Sequence, residues 1–258
     1  MARRMKKTRV PLTREKVLSE ALWMADRGGI EALSMRNLAR AVKVEAMSLY
    51  NHVEGKEDLL DGLVELVAGE IVRPETGGDW RAAMRQRALS AHAALTRHPW
   101  ATMLFVSRVN TGPNMLRYVD ATIACLRAAG FSYPMADHAW NALDAFVYGF
   151  TLQQRNFPLE PSRYAAAAKQ FIQLIPAEQF PGLNGMSQEV IAGRHDGLHR
   201  LEFGLELILD GLETLRKAAA AQTVHPARGP ILGSGSDAGE RLLKRRTAGS
   251  KSSGTRAS

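Results

Sequence analysis

The feature that most constrains this chain is the spacing of its apolar residues. From Thr13 onward they recur at helical intervals and nowhere alternate as in a half-buried strand. A period near 3.6 selects amphipathic helices over sheets, so the reading is all-α. Val17, Leu18, Ala21, Leu22 and Ala25 define a first helix that starts at an N-cap on Thr13 and stops at Gly28-Gly29. Ser34 opens a second helix of about two turns, with Leu38, Ala39 and Val42 on one side. After Lys43-Val44 a third short helix is predicted over 45–53. Gly55 breaks it ahead of a long helix bearing Leu59, Leu60, Leu63, Val64, Val67 and Ile71, and Pro74 to Asp79 ends this unit. From Trp80 to Lys217 nearly every segment again reads as helix, punctuated by Pro99, Gly112-Pro113, Gly130, Pro134, Pro158, Pro161 and the stretch 176–185.

A chain of 258 residues supports two unequal domains. The expected organisation is a basic arm over 1–12, a first unit over 13–74, a second over 80–217, and a disordered basic tail over 219–258. The tail is rich in Gly, Pro, Ser and Arg, with too few large apolar residues to offset its ordering entropy. The net charge of +8 resides in those ends: the first twelve residues hold five positive charges and no negative one, and the last forty hold seven against two. Charge alone therefore says little about an acidic partner of the folded part. The single cysteine, Cys125, excludes an intrachain disulfide and fits a reducing, cytoplasmic setting. The N-terminus lacks the apolar run of a signal peptide, and no stretch of eighteen uncharged apolar residues exists to span a membrane.

Residues 34–53 have the layout of a helix-turn-helix, in which two short helices cross at a tight turn and the second enters the DNA major groove. Ala39 is small where the helices must cross, and Val44, Leu49 and Val53 supply the buried side of the second helix. Its other side presents Ala46, Met47, Ser48, Asn51 and His52. A helix over 45–53 would be roughly 13 Å long, suited to a groove about 12 Å wide.

The run Leu33-Ser34-Met35-Arg36-Asn37-Leu38-Ala39, followed by Ser48-Leu49-Tyr50-Asn51-His52-Val53, Lys56 and Leu59-Leu60, resembles the DNA-binding domain of the tetracycline-repressor (TetR) family without a gap. The resemblance implies double-stranded operator DNA as partner and Ser34, Met35, Arg36, Lys43, Ala46, Met47, Ser48, Tyr50, Asn51, His52 and Lys56 as the DNA-facing set. Arg36, Ala46, Met47 and Ser48 would face bases, while Tyr50, His52 and Lys56 would meet phosphates. The residues themselves also allow Tyr50 to be a packing residue, Lys56 to be solvated and Arg36 to pair with a carboxylate. Lys43 stands where the family usually has Gly in the turn, a departure that costs about 1 kcal/mol or less if φ is positive there.

Across 80–217, Gly130-Phe131-Ser132, Gly149, Phe203-Gly204-Leu205-Glu206 and Gly211-Leu212-Glu213 resemble the effector-binding and dimerisation domain of the same family. The resemblance implies a homodimer joined through two helices of each subunit, here about 136–155 and 198–217. The stripe Leu201, Leu205, Ile208 and Leu212 reads either as that interface or as core. A small-molecule effector is expected among Trp100, Met103, Phe105, Val109, Met115, Trp140, Tyr148 and Gln153. The positions of the tetracycline repressor's metal-site His and Glu are taken by Val106 and Gln153, so neither a cofactor nor a metal is expected. Two other function classes fit a helical chain. A constitutive DNA-organising protein would lack the effector. A helical metal enzyme has little support, since His195 and His199 enclose Asp196-Gly197-Leu198 in place of a zinc protease's catalytic Glu.

Overall fold

A computed structural model describes residues 11–224, which contain helices and no strand. In chain order the α-helices are α1 Arg14–Gly28, α2 Met35–Val42, α3 Ala46–Leu49, α4 Lys56–Glu70, α5 Trp80–Arg97 and α6 Ala101–Ser107. There follow α7 Pro113–Ala128, α8 Tyr133–Asn156, α9 Tyr164–Phe171, α10 Pro181–Ile191 and α11 Leu201–Val224. One compact unit extends to Lys217; a second begins at Ala218 and is described only to Val224, as the end of α11. The expected arm lies outside the described residues apart from Pro11 and Leu12, and the expected tail does so from 225 onward. The expected tail boundary at 219 falls inside α11, because Ala218 to Ala221 continue the helix with the strongest helix former. No helix among the described residues is long and apolar enough to cross a membrane.

The first two predicted caps form. Thr13 accepts the Lys16 N–H at 3.3 Å and Ser34 accepts that of Asn37 at 3.2 Å, each satisfying one of the free N–H groups of a helix start. The apolar faces then sort into two clusters. Val17, Leu18, Ala21, Leu33, Leu38, Leu49, Val53 and Leu59 close the N-terminal one, and residues of α5, α7, α8 and α11 close the larger one around Met84, Leu126, Phe131 and Leu143. Helix α4 belongs to both, giving Leu59, Leu60 and Leu63 to the first and Val64, Val67 and Ala68 to the second. It is thus the element shared by the two cores.

Two predicted details change, and one reading left open is decided. The third helix is one turn, Ala46–Leu49, not 45–53. Asn51 and His52 are weak helix formers, and the chain tightens through i→i−3 bonds from Tyr50 to Met47 and from His52 to Leu49 so that Val53 can bury. The last helix starts at Leu201 instead of 198, because the Asp196 carboxylate holds the Leu198 N–H at 2.9 Å in a local turn. The stripe of Leu201, Leu205, Ile208 and Leu212 faces the subunit's own core, with Leu201 and Leu205 buried. The outward side of α11 carries Phe203, Leu207, Gly211 and Leu215 instead. Gly204 permits this packing, since a Cβ there would lie 2.4 Å from the Phe146 ring.

Candidate functional site

At the N-terminal end, α2 and α3 cross on Ala39 and Leu49, both buried. The turn between them is left-handed at Lys43, with φ 59° and ψ 47°, and it is the one non-glycine residue with positive φ among the described residues. The Val44 N–H bonds the Ala39 carbonyl across this turn at 3.0 Å, which reverses the chain and aims α3 outward. Met47 is 76% exposed and Tyr50 is 48% exposed; Arg36, Lys43, Asn51 and Lys56 are also exposed. Ser48, His52, Met35 and Ala46 are half-buried at the edge of this face, and Met35 and Ala46 touch the core beneath. Ser34 is engaged in capping α2. The residues expected to face DNA therefore lie on α2, the turn after it and the segment through Lys56, with Met35 and Ala46 packed on the core beneath.

A polar clip that sequence spacing does not announce fixes this surface on α4. Arg14 forks onto Asp58 at 2.7 and 2.5 Å and also donates to the His52 carbonyl at 2.9 Å, while the Glu54 N–H reaches Asp58 at 2.9 Å. One guanidinium thereby ties the start of α1, the end of the reading turn and the start of α4. The Arg14 hydrogen bond holds the Asp58 carboxyl below the usual carboxylate range. A folded-state value below the unfolded one means that this stability is complete above the ordinary carboxylate range and is lost as pH falls through the lowered value. Asp58→Asn is expected to destabilise the protein by about 0.5–1 kcal/mol at neutral pH, as for a partly exposed pair. Melting curves of variant and parent should converge as the pH drops below the carboxylate range; a gap that persists in acid would refute the assignment.

Two further links join α4 to the larger cluster. Arg108, just after α6, contacts Glu57 at 2.5 Å and Asp61 at 2.6 Å. The Glu65 carboxylate accepts the Asn114 and Met115 N–H groups at 2.7 and 3.0 Å, capping α7 from a neighbouring helix. Gly112 is required there, because a Cβ would sit 2.1 Å from the Glu65 carboxyl carbon. These contacts tie α4, whose start the Arg14–Asp58 clip joins to the α3 turn, to α7 and to the end of α6.

Inside the larger cluster, four donors converge on Asp144 of α8. They are Arg87 Nη2 at 2.5 Å, Trp140 Nε1 at 2.7 Å, Tyr148 Oη at 3.1 Å and Tyr118 Oη at 3.2 Å. Arg87 is fully buried and lies over the Tyr118 ring at 4.5 Å. Burial pushes both phenols above their ordinary range, so they act as neutral donors. The Phe105 ring meets Tyr148 edge-on at 6.0 Å.

The family model described as "Bacterial regulatory proteins, tetR family" matches residues 17–63, and "Tetracyclin repressor-like, C-terminal domain" matches 73–216. The chain belongs to the TetR family. This TetR-family protein is a DNA-binding transcriptional regulator, with an N-terminal helix-turn-helix domain and a larger helical domain. It is 31% identical to the HTH-type transcriptional repressor DrrR1 of Streptomyces coeruleorubidus over 214 residues, 79% of this chain and 78% of that protein. It is 29% identical to the class D tetracycline repressor of Escherichia coli over 207 residues, 78% and 89% of the two chains. Among solved structures it is similar to Streptomyces coelicolor ActR in complex with actinorhodin, with a TM-score of 0.69, 29% identity, and coverage of 79% of this chain and 96% of that one.

In this TetR-family regulator the residues expected to meet an effector do not form one group. Trp140, Tyr148 and Phe105 belong to the buried cluster around Asp144, and Met115 is buried in the same core. Trp100 donates to Asp26 of α1 at 2.8 Å instead. Met103 is 54% exposed and Val109 is 89% exposed. Gln153 lines a separate groove of about 470 Å³ with Phe146, Phe150, Leu198, His199 and Phe203. Val106 is exposed, and no group of three metal-ligating side chains occurs among the described residues. Arg87 and Asp144 were absent from the expected set. The available signal was a charge on an apolar face: Arg87 follows Met84 by three positions and precedes Ala91 by four, both of them buried on α5.

Proposed function

We propose that this regulator represses transcription by binding an operator duplex as a homodimer and releases it when an apolar or aromatic effector, bound without a divalent metal, enters the α5–α8 core. The observation that carries the DNA part is the left-handed turn at Lys43, which presents Arg36, Met47, Ser48, Tyr50 and Lys56 from one firmly backed surface. The outward stripe of Phe203, Leu207 and Leu215 on α11 supports a second copy as partner. DrrR1 is named a repressor, and ActR is a TetR-family protein solved with a small molecule bound. The Arg108 and Glu65 links give the effector a route to the reading surface. Release requires that the effector bind the DNA-incompetent state more tightly, and DNA must then weaken the effector by the same factor. A regulator of this kind works in the cytoplasm, where operator DNA lies.

Two-fold protein symmetry predicts a near-palindromic site with half-sites about one helical turn apart. Arg36→Ala and Ser48→Ala are expected to relax base preference at particular positions, each by about 1–3 kcal/mol, whereas Lys56→Ala should weaken all sequences alike and lower the salt slope by about one. Gel-shift titrations on a selected operator and its single-base variants, at two salt concentrations, test this. Uniform loss from all three variants would defeat the division into base and phosphate contacts, and full-affinity binding to one asymmetric half-site would defeat the dimeric reading.

A further inference from the structure

The buried cluster on Asp144 is short of acceptors. Four donors share one carboxylate, yet Arg87 Nε and Nη1 have no hydrogen-bond partner although the guanidinium is entirely shielded from solvent. Buried N–H groups of a cation without acceptors are strongly disfavoured, and each lost partner costs about 1–3 kcal/mol. The cation is obliged to stay, because Arg87 is the charge partner of Asp144 and removing either alone strands the other. The phenols of Tyr118 and Tyr148 offer their hydrogens to Asp144, so they add donors to the cluster. The Tyr118 ring lies against this cation at 4.5 Å, the half-buried Trp140 and Tyr148 share its carboxylate partner, and Phe105 meets Tyr148 edge-on.

We infer that Arg87 is an effector-recognition residue and that the effector is a planar aromatic molecule carrying a conjugated oxygen acceptor, a carboxylate or a quinone-type carbonyl, which enters past Trp140 and accepts from Arg87 Nε or Nη1. The rings select flatness and the guanidinium selects the oxygen. A hydrogen bond to a buried charged donor distinguishes such a molecule from its hydrocarbon analogue far better than added apolar area does. This inference rests on the effector reading above and specifies the chemistry of its ligand.

The test uses the full chain and three naphthalene probes of nearly equal shape, 2-naphthoate, 2-acetylnaphthalene and 2-ethylnaphthalene. Binding is followed by calorimetry and by quenching of tryptophan fluorescence. The two oxygen-bearing probes are expected to bind at least about tenfold more tightly than the ethyl compound. In Arg87→Met/Asp144→Asn, which removes both charges together and leaves neither stranded, the three affinities should become equal while circular dichroism and the melting temperature show a folded protein. Discrimination by either oxygen-bearing probe that vanishes in the double variant supports the assignment. Equal affinities in the parent protein, discrimination that survives in the double variant, or no binding of any probe would overturn it. Operator titrations with the same probes separate the two readings: oxygen-selective binding that leaves operator affinity unchanged removes the effector role and keeps the site.

Discussion

Phe203→Glu/Leu207→Glu is expected to yield a folded monomer whose operator affinity is lower by roughly two orders of magnitude or more, the factor contributed by a second linked reading surface. The two side chains are 72% and 60% exposed on α11, one turn apart and in line with Gly211 and Leu215. A contiguous apolar stripe on the outside of a helix marks an association surface, and Gly211, whose Cβ position is open, lets another backbone approach closely. Inward, Leu205 and Leu209 hold the same helix to its own core, so the substitutions leave the fold intact. Light scattering coupled to size exclusion reads the oligomeric state, and gel shifts on full and half operators read the affinity. A dimer that persists, or a monomer that binds the full operator as tightly as the parent does, would defeat the role given to this face.

Leu49→Ala should have the largest effect on stability of any change near the reading surface. Leu49 is fully buried in the N-terminal cluster, where α3 packs on α2, so truncation leaves a cavity that the one-turn helix cannot fill. The expected loss is about 2–5 kcal/mol, or roughly 2–4 °C in melting temperature for each kcal/mol in a chain of this size. Operator binding should fall with it, because Tyr50 and His52 are positioned by backbone bonds to Met47 and Leu49. Met47→Ala, two residues away and mostly exposed, is the contrasting variant. Its melting temperature should stay within about 1 °C of the parent, while its operator affinity drops. Scanning calorimetry alongside gel shifts distinguishes them, and equal melting temperatures for the two variants would show that α3 is not anchored as described.

The local elements were legible in the sequence because short-range physics fixes them. Thr13 and Ser34 cap the helices they were expected to cap, Gly28-Gly29 and Gly55 punctuate where the chain turns, and Lys43 adopts the left-handed geometry that the turn demands. The length of the third helix was not legible. Its periodicity extends to Val53, yet burial of that side chain tightens the chain after one turn. The inward or outward sense of α11 was equally hidden, since Leu201, Leu205, Ile208 and Leu212 and the alternate stripe of Phe203, Leu207 and Leu215 are both apolar at helical spacing. Contact with Phe146 through Gly204 chose between them.

By itself, then, the sequence determined an all-helical chain, the position of its helix-turn-helix and its membership of the TetR family, because these depend on residue periodicity, caps and a gapless motif. Only the tertiary structure decided which charges meet. Arg14 and Asp58 stand 44 residues apart and Arg87 and Asp144 stand 57 apart, separations at which no local propensity couples them. The pairs exist because helix packing brings their faces together, and in the second case because burial leaves an ion no other partner. The same packing dispersed the expected effector residues, gathering Trp140 and Tyr148 on Asp144, beside an arginine that composition alone would have placed in solvent.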